Sequence, residues 1–115
     1  MLTTLDALAE PNRLHIVELL REGPRSVGEI AEQLGLRQPQ ASKHLRVLSA
    51  AGLVAVYPIA QQRIYALRAQ PFQELDAWLA SYRQLWDARF DRLEAYLRDA
   101  QRQTQEEEQQ HDDKQ

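Results

Sequence analysis

The chain has 115 residues, 43% of them apolar and 27% charged, with a net charge of −3; this fits a single globular domain with a modest core. It contains no cysteine, which excludes disulfides, thiolate metal sites and thiol nucleophiles. The longest apolar run, residues 53–60, is far too short to span a bilayer, and the first residues lack the basic and apolar regions of a secretory signal, so a cytoplasmic protein is expected.

Leu2, Leu5, Leu8 and Ala9 are spaced for one face of a short helix that ends before Pro11. Pro11 is placed to open a second helix, which carries Leu14, Ile16, Val17, Leu19 and Leu20 and stops at Gly23-Pro24. Ser26 followed by Glu29 is a capping box for a third helix, with Val27, Ile30, Ala31 and Leu34 as its apolar positions and Gly35 as its end. A fourth helix is predicted from about Gln38 to Ala51, closing at Gly52. Residues 53–57 and 63–67 are rich in Val, Ile and Tyr and read as two strands around a turn at 60–62, with Pro58 suited to an edge strand. A long helix then starts near Pro71. No internal repeat or linker interrupts residues 1–100, which are read as one domain. Residues 101–115, "QRQTQEEEQQHDDKQ", hold no apolar side chain and are expected to be frayed helix or a disordered polar tail. Two short helices joined by a tight Gly-containing turn, followed by a hairpin, give a mainly α fold with a small β-hairpin, a winged helix-turn-helix with a long C-terminal helix.

Charge is unevenly spread. Residues 1–70 hold eight Lys/Arg and six Asp/Glu, a net +2, whereas residues 71–115 hold six and eleven, a net −5. Between Gln33 and Gln73 there is no acid, while Arg37, Lys43, Arg46, Arg63 and Arg68 all fall there. A local positive field suits a polyanion, because counterion release depends on the contact face and not on the total charge. With Ala41 set inward, Leu45 and Leu48 complete a buried stripe on the fourth helix. The opposite face holds Pro39, Gln40, Ser42, Lys43, Arg46, Val47 and Ala50. Gln, Ser, Lys and Arg donate to base edges or phosphates, and small residues permit close approach. A solvated amphipathic helix is the plainer reading, but solvated faces usually mix signs and this one is only positive. A winged-helix module that binds protein and not DNA is the rival class.

The stretches "LAEPNRLHIVELL" and "SVGEIAEQLGLRQPQASKHLRVLSAAGLV" resemble the arsenic-repressor (ArsR) family of bacterial winged-helix regulators over roughly residues 5–68. The helix "LDAWLASYRQLWDARFDRLEAYL" resembles that of a non-metal subgroup often encoded beside a START-like partner protein. The resemblance implies a homodimeric repressor of double-stranded DNA whose first and last helices pair across a two-fold axis. By position it places Gln38, Gln40, Ser42 and Lys43 at base edges, Arg46 at phosphate, and Arg63 as the basic residue of the wing. The family usually has Ser where this chain has Arg37; that removes a helix cap worth about 1 kcal/mol and adds a phosphate-contacting side chain. His44 flanks the buried stripe, with packing inside the fold as one role and a phosphate contact as the other.

Many members of that family bind metal through Cys-x-Cys at the start of the third helix. The matching positions here are Ser26, Val27 and Gly28, which supply no thiolate. No metal or cofactor is expected; His111-Asp112-Asp113 is at most a weak divalent site. A Gly-rich phosphate loop and a nucleophile with a nearby base are both absent from the sequence, so no enzyme is expected.

Along the last helix Phe72, Leu75, Leu79, Tyr82, Trp86, Leu93, Tyr96 and Ala100 recur at alternating steps of three and four, with Arg89 alone breaking the set and Trp78, Leu85, Phe90 and Leu97 widening it. Residues 72–100 give a helix about 43 Å long, more than the rest of the chain can cover. Leu75, Leu79, Tyr82, Trp86 and Leu93 are therefore expected at a homodimer interface, and the resemblance implies that Leu2 and Leu5 of the first helix join them. An effector pocket for a small molecule between Trp78, Tyr82 and Trp86 is the alternative use of the aromatics.

Overall fold

The computed structural model describes the backbone of residues 1–113 and the side chains of residues 1–110. Five helices and three strands follow in the order α1 (Leu2–Leu8), α2 (Pro11–Leu20), β1 (Arg25–Ser26), α3 (Val27–Leu34), α4 (Gln38–Ala50), β2 (Val54–Ile59), β3 (Gln62–Leu67) and α5 (Ala69–Asp113). The chain forms two compact units, Met1–Asp76 and Ala77–Gln115. The first holds the core.

That core is built where the periodicity places it. Ile16 from α2, Ile30 from α3, Leu45 and Leu48 from α4 and Leu53 after it are fully buried, joined by Ala41 at the closest approach of α4. On α1 the apolar spacing marks a face that is only partly turned to the core. Thr4 and Ala7 are buried, Leu8 packs against the core, Leu5 is half-buried and Leu2 is 83% exposed. Small side chains sit inward there, and the larger Leu2 and Leu5 are left turned outward.

Caps set the helix boundaries. Glu10 is the N-cap of α2, its carboxylate accepting the Arg13 backbone N–H at 2.8 Å, while the Arg13 guanidinium donates back to the Ala7 carbonyl at 2.7 Å. This closes α1 and opens α2 with one pair of side chains. The Ser26–Glu29 capping box is fully formed at the start of α3, both bonds being 3.2 Å. Gly35, at φ 65°, closes α3, with Leu36 N–H donating to the Ala31 carbonyl at 2.9 Å, the left-handed ending that glycine permits.

The sheet has the order β1-β3-β2 and is antiparallel throughout. Pro58 lies on the edge strand β2, paired with Arg63, where its missing N–H takes nothing from the ladder's interior. β1 was not expected: it is two residues long, and Ser26 serves both as its second residue, opposite Ile64, and as the cap of α3. Ala60 turns the hairpin at φ 56°, a left-handed conformation that costs a residue with a Cβ about 1–2 kcal/mol.

α5 passes the boundary expected at Ala100 and stays helical to Asp113. Gln, Glu and Arg are good helix formers and need no burial to continue a helix already begun. Residues 101–110 are all exposed. His111–Asp113, as side chains, and Lys114 lie outside the described residues.

Candidate nucleic-acid interface

The candidate surface is made by α4 and the β2–β3 hairpin. Ala41, Leu45 and Leu48 anchor α4 in the core, so the helix presents Gln38, Gln40, Lys43, Arg46 and Val47 as exposed side chains and Ser42 as half-buried. Between the start of α3, α4 and the hairpin lies a cleft of about 420 Å³, into which Gln38, Ser42 and Arg46 face from the helix and Gln62, Arg63 and Tyr65 from β3. No acidic residue lines it. The cations of this unit divide into two groups. Arg21 and Arg25 pair with Glu18 and Glu22, and Arg13 is held by carbonyls. Among the described residues, the side chains of Arg37, Lys43, Arg46 and Arg63 make no ion pair and no hydrogen bond. Sequence alone shows where acids are missing; only the fold shows that no distant acid returns to neutralise these four.

Two of the expected site residues are otherwise engaged. The Oε1 of Gln40 accepts the Arg37 backbone N–H at 3.1 Å. Gln40 thereby supplies the third-residue half of a capping box; the other half, an N-cap side chain accepting a backbone N–H, is missing because Arg37 has no acceptor. His44 Nδ1 lies 3.6 Å from Oε2 of Glu10, with only 19% of the His44 side chain exposed. It is turned to the start of α2, the role inside the fold, and Glu10 is the residue that sequence reading missed there. A carboxylate beside a proline-initiated helix was the available signal.

Of the residues expected at a dimer interface, Leu5 and Leu75 are half-buried and Leu2, Leu79, Tyr82, Trp86 and Leu93 are exposed. Trp78 and Tyr82 meet edge to face with ring centroids 5.1 Å apart, so the space between those two rings is taken by their own contact. Among the described residues no group of three or more His, Cys, Asp or Glu is arranged to hold a metal ion, and no helix is long and apolar enough to cross a membrane. At the start of α3, Ser26 is engaged in the capping box and Gly28 has no side chain to offer.

Comparison with known proteins gives the family. A family model described as a helix-turn-helix domain matches residues 8–57. The HTH-type transcriptional regulator Rv2034 of Mycobacterium tuberculosis is 46% identical over 61 residues, which are 53% of this chain and 57% of that protein. NmtR of the same organism is 43% identical over 65 residues, 56% of this chain and 54% of that one. The matched part thus spans little more than half the length of these curated relatives. Among solved structures, a homodimeric winged helix-turn-helix DNA-binding domain from Mycobacterium bovis superposes with a TM-score of 0.60 at 29% identity, covering 71% of this chain and 76% of that one. The ArsR family transcriptional regulator RHA00566 superposes with a TM-score of 0.67 at 30% identity, covering 74% of this chain and 93% of that one. On the strength of that match, which covers 93% of the neighbour's chain at 30% identity, the chain belongs to the ArsR family.

Proposed function

We propose that the protein is a DNA-binding transcriptional regulator, a cytoplasmic repressor that acts as a homodimer on an inverted repeat. The observation that carries this reading is the set of four cations on α4 and the hairpin, Arg37, Lys43, Arg46 and Arg63, that make no ion pair among the described residues. Unneutralised cations on one face repel one another and release counterions when phosphates replace water. Lys43, Arg46, Arg37 and Arg63 serve phosphates, and Gln38 and Ser42 serve base edges, with Val47 against a thymine methyl. The hairpin brings one arginine, so the wing adds less affinity than α4. The homodimeric relative from Mycobacterium bovis supports two-fold assembly, and so do the exposed leucines and aromatics of α5.

The test is binding to the DNA upstream of the protein's own gene at two salt concentrations. Lys43→Ala and Arg46→Ala should each weaken binding and reduce the slope of log affinity against log salt by about one. An unchanged slope in both variants removes the groove face from consideration.

A further inference from the structure

A second hollow lies wholly within the unit Met1–Asp76. Its volume is about 560 Å³, in the range of small-molecule sites. Leu8, Leu14 and Val17 line it from α1 and α2, and Leu67, Phe72 and Leu75 from the end of β3 and the start of α5. Leu8, Val17, Leu67 and Phe72 belong to the core or pack against it, so most of the wall is held in place. Leu14 is 41% exposed, an apolar side chain that a guest in the hollow would take out of water.

Charge decides what kind of guest fits. Three charged side chains line the hollow, Glu18, Arg21 and Arg68, and all are exposed. Arg21 donates to Glu18 at 2.9 Å, so that pair cancels. Among the described residues the side chain of Arg68 makes no ion pair and no hydrogen bond. The lining therefore carries one uncompensated positive charge. A wholly apolar guest would strip water from that guanidinium and replace none of its hydrogen bonds, and a cationic guest would be repelled. A carboxylate matches the guanidinium fork with charge-assisted hydrogen bonds, and an apolar body behind it covers Leu14.

We propose that this hollow binds an amphipathic monocarboxylate, an acid with one carboxylate on an apolar body, anchored by Arg68. The hollow also touches the frame of α4. The Arg68 backbone N–H donates to the Leu53 carbonyl at 3.0 Å, and Leu67 pairs with Val54. Leu53 is fully buried just after α4. A guest on Leu67 and Arg68 thus bears on the segment that ends the helix of the candidate DNA surface, and the acid acts as an effector. The binding stands by itself; the effector role rests on the proposed function.

The probe is decanoate, with decanol and decylammonium as its neutral and cationic counterparts, titrated by calorimetry into the DNA-free protein. Decanoate should saturate a single site per chain, about tenfold more tightly than either counterpart. Arg68→Gln should remove that preference and leave decanol binding unchanged, and Arg68→Glu should turn it toward decylammonium. Leu14→Gln, on the exposed wall, should weaken decanoate and decanol alike. No saturable binding of decanoate at millimolar concentration, or a preference for it that survives Arg68→Glu, overturns the site. At saturation decanoate should change operator affinity about fivefold or more in the wild type and not in Arg68→Glu; an operator affinity that stays constant while the site fills overturns the effector role. A protein that binds decanoate and no DNA at any salt fails the proposed function and leaves the site standing.

Discussion

Gln40 has one carbonyl oxygen and two uses for it. Bidentate recognition of adenine needs both the oxygen and the amide nitrogen of a glutamine, and here the oxygen already accepts the Arg37 N–H. The Gln40 amide is thus held toward the Arg37 backbone and is not free to turn to a base edge, whereas Gln38 is exposed and engages neither group. Gln40→Ala should therefore lower stability by about 1 kcal/mol, and Gln40→Glu, which keeps an acceptor at that position, should melt like the wild type. Selection from a randomised operator should show the larger loss of base preference in Gln38→Ala. Equal melting of all three proteins, with preference lost only in Gln40→Ala, would reverse the assignment. Glu29 gives a pH prediction. Its carboxyl is held below its ordinary 4.5, first by the backbone N–H of Ser26, then by the Ser26 hydroxyl, with the charge of Arg25 adding and slight burial opposing. A carboxyl lowered in the folded state stabilises above the unfolded value and loses that contribution as pH falls through the folded one. The melting difference between wild type and Glu29→Gln should thus shrink below pH 4.5; a difference that stays constant down to acid unfolding would show that the charge plays no part. At this scale the sequence was readable where a cap follows the Ser-x-x-Glu pattern. It was harder to read at Glu10, where a carboxylate beside a proline-initiated helix was the signal, because a cap made by a long side chain has no short signature.

Elements were most legible where burial enforces a period. The stripe of Ala41, Leu45 and Leu48 is wholly inside, since α4 packs against α2, α3 and β2 and no other rotation buries three apolar side chains. The period failed on α1, where a seven-residue helix is too short to distinguish faces. It gave no sign of β1, whose two residues become a strand only because β3 lies beside them. The end of α5 was hidden for another reason: without burial, composition weighs helix against coil on small propensity differences. Residues 101–110 bury nothing, so a stop after Ala100 should leave the melting temperature, the dimer and DNA affinity at physiological salt nearly unchanged. The tail carries a net −3, Arg102 and Lys114 against five acids, so any gain in DNA affinity on its removal should appear at low salt and vanish as the Debye length shortens to about 8 Å. Loss of the dimer on truncation, read by light scattering, would show that the helix beyond Ala100 is part of the interface.

For the whole molecule, a two-fold dimer calls for half-sites about one helical turn apart, and footprinting should find that spacing. Zinc, cadmium and arsenite should not release the protein from its operator, because Ser26 and Gly28 stand where the family's thiolates would be; stoichiometric release in a gel shift would refute that. Ser26 has a further consequence. It pairs with Ile64 of the hairpin through its backbone and caps α3 through its side chain, so the hairpin is tied to the first residue of the helix-turn-helix. The protein then behaves as a calliper of fixed gape, and the duplex must do the bending. Among operators with identical contacted bases, affinity should follow how cheaply the untouched base steps deform.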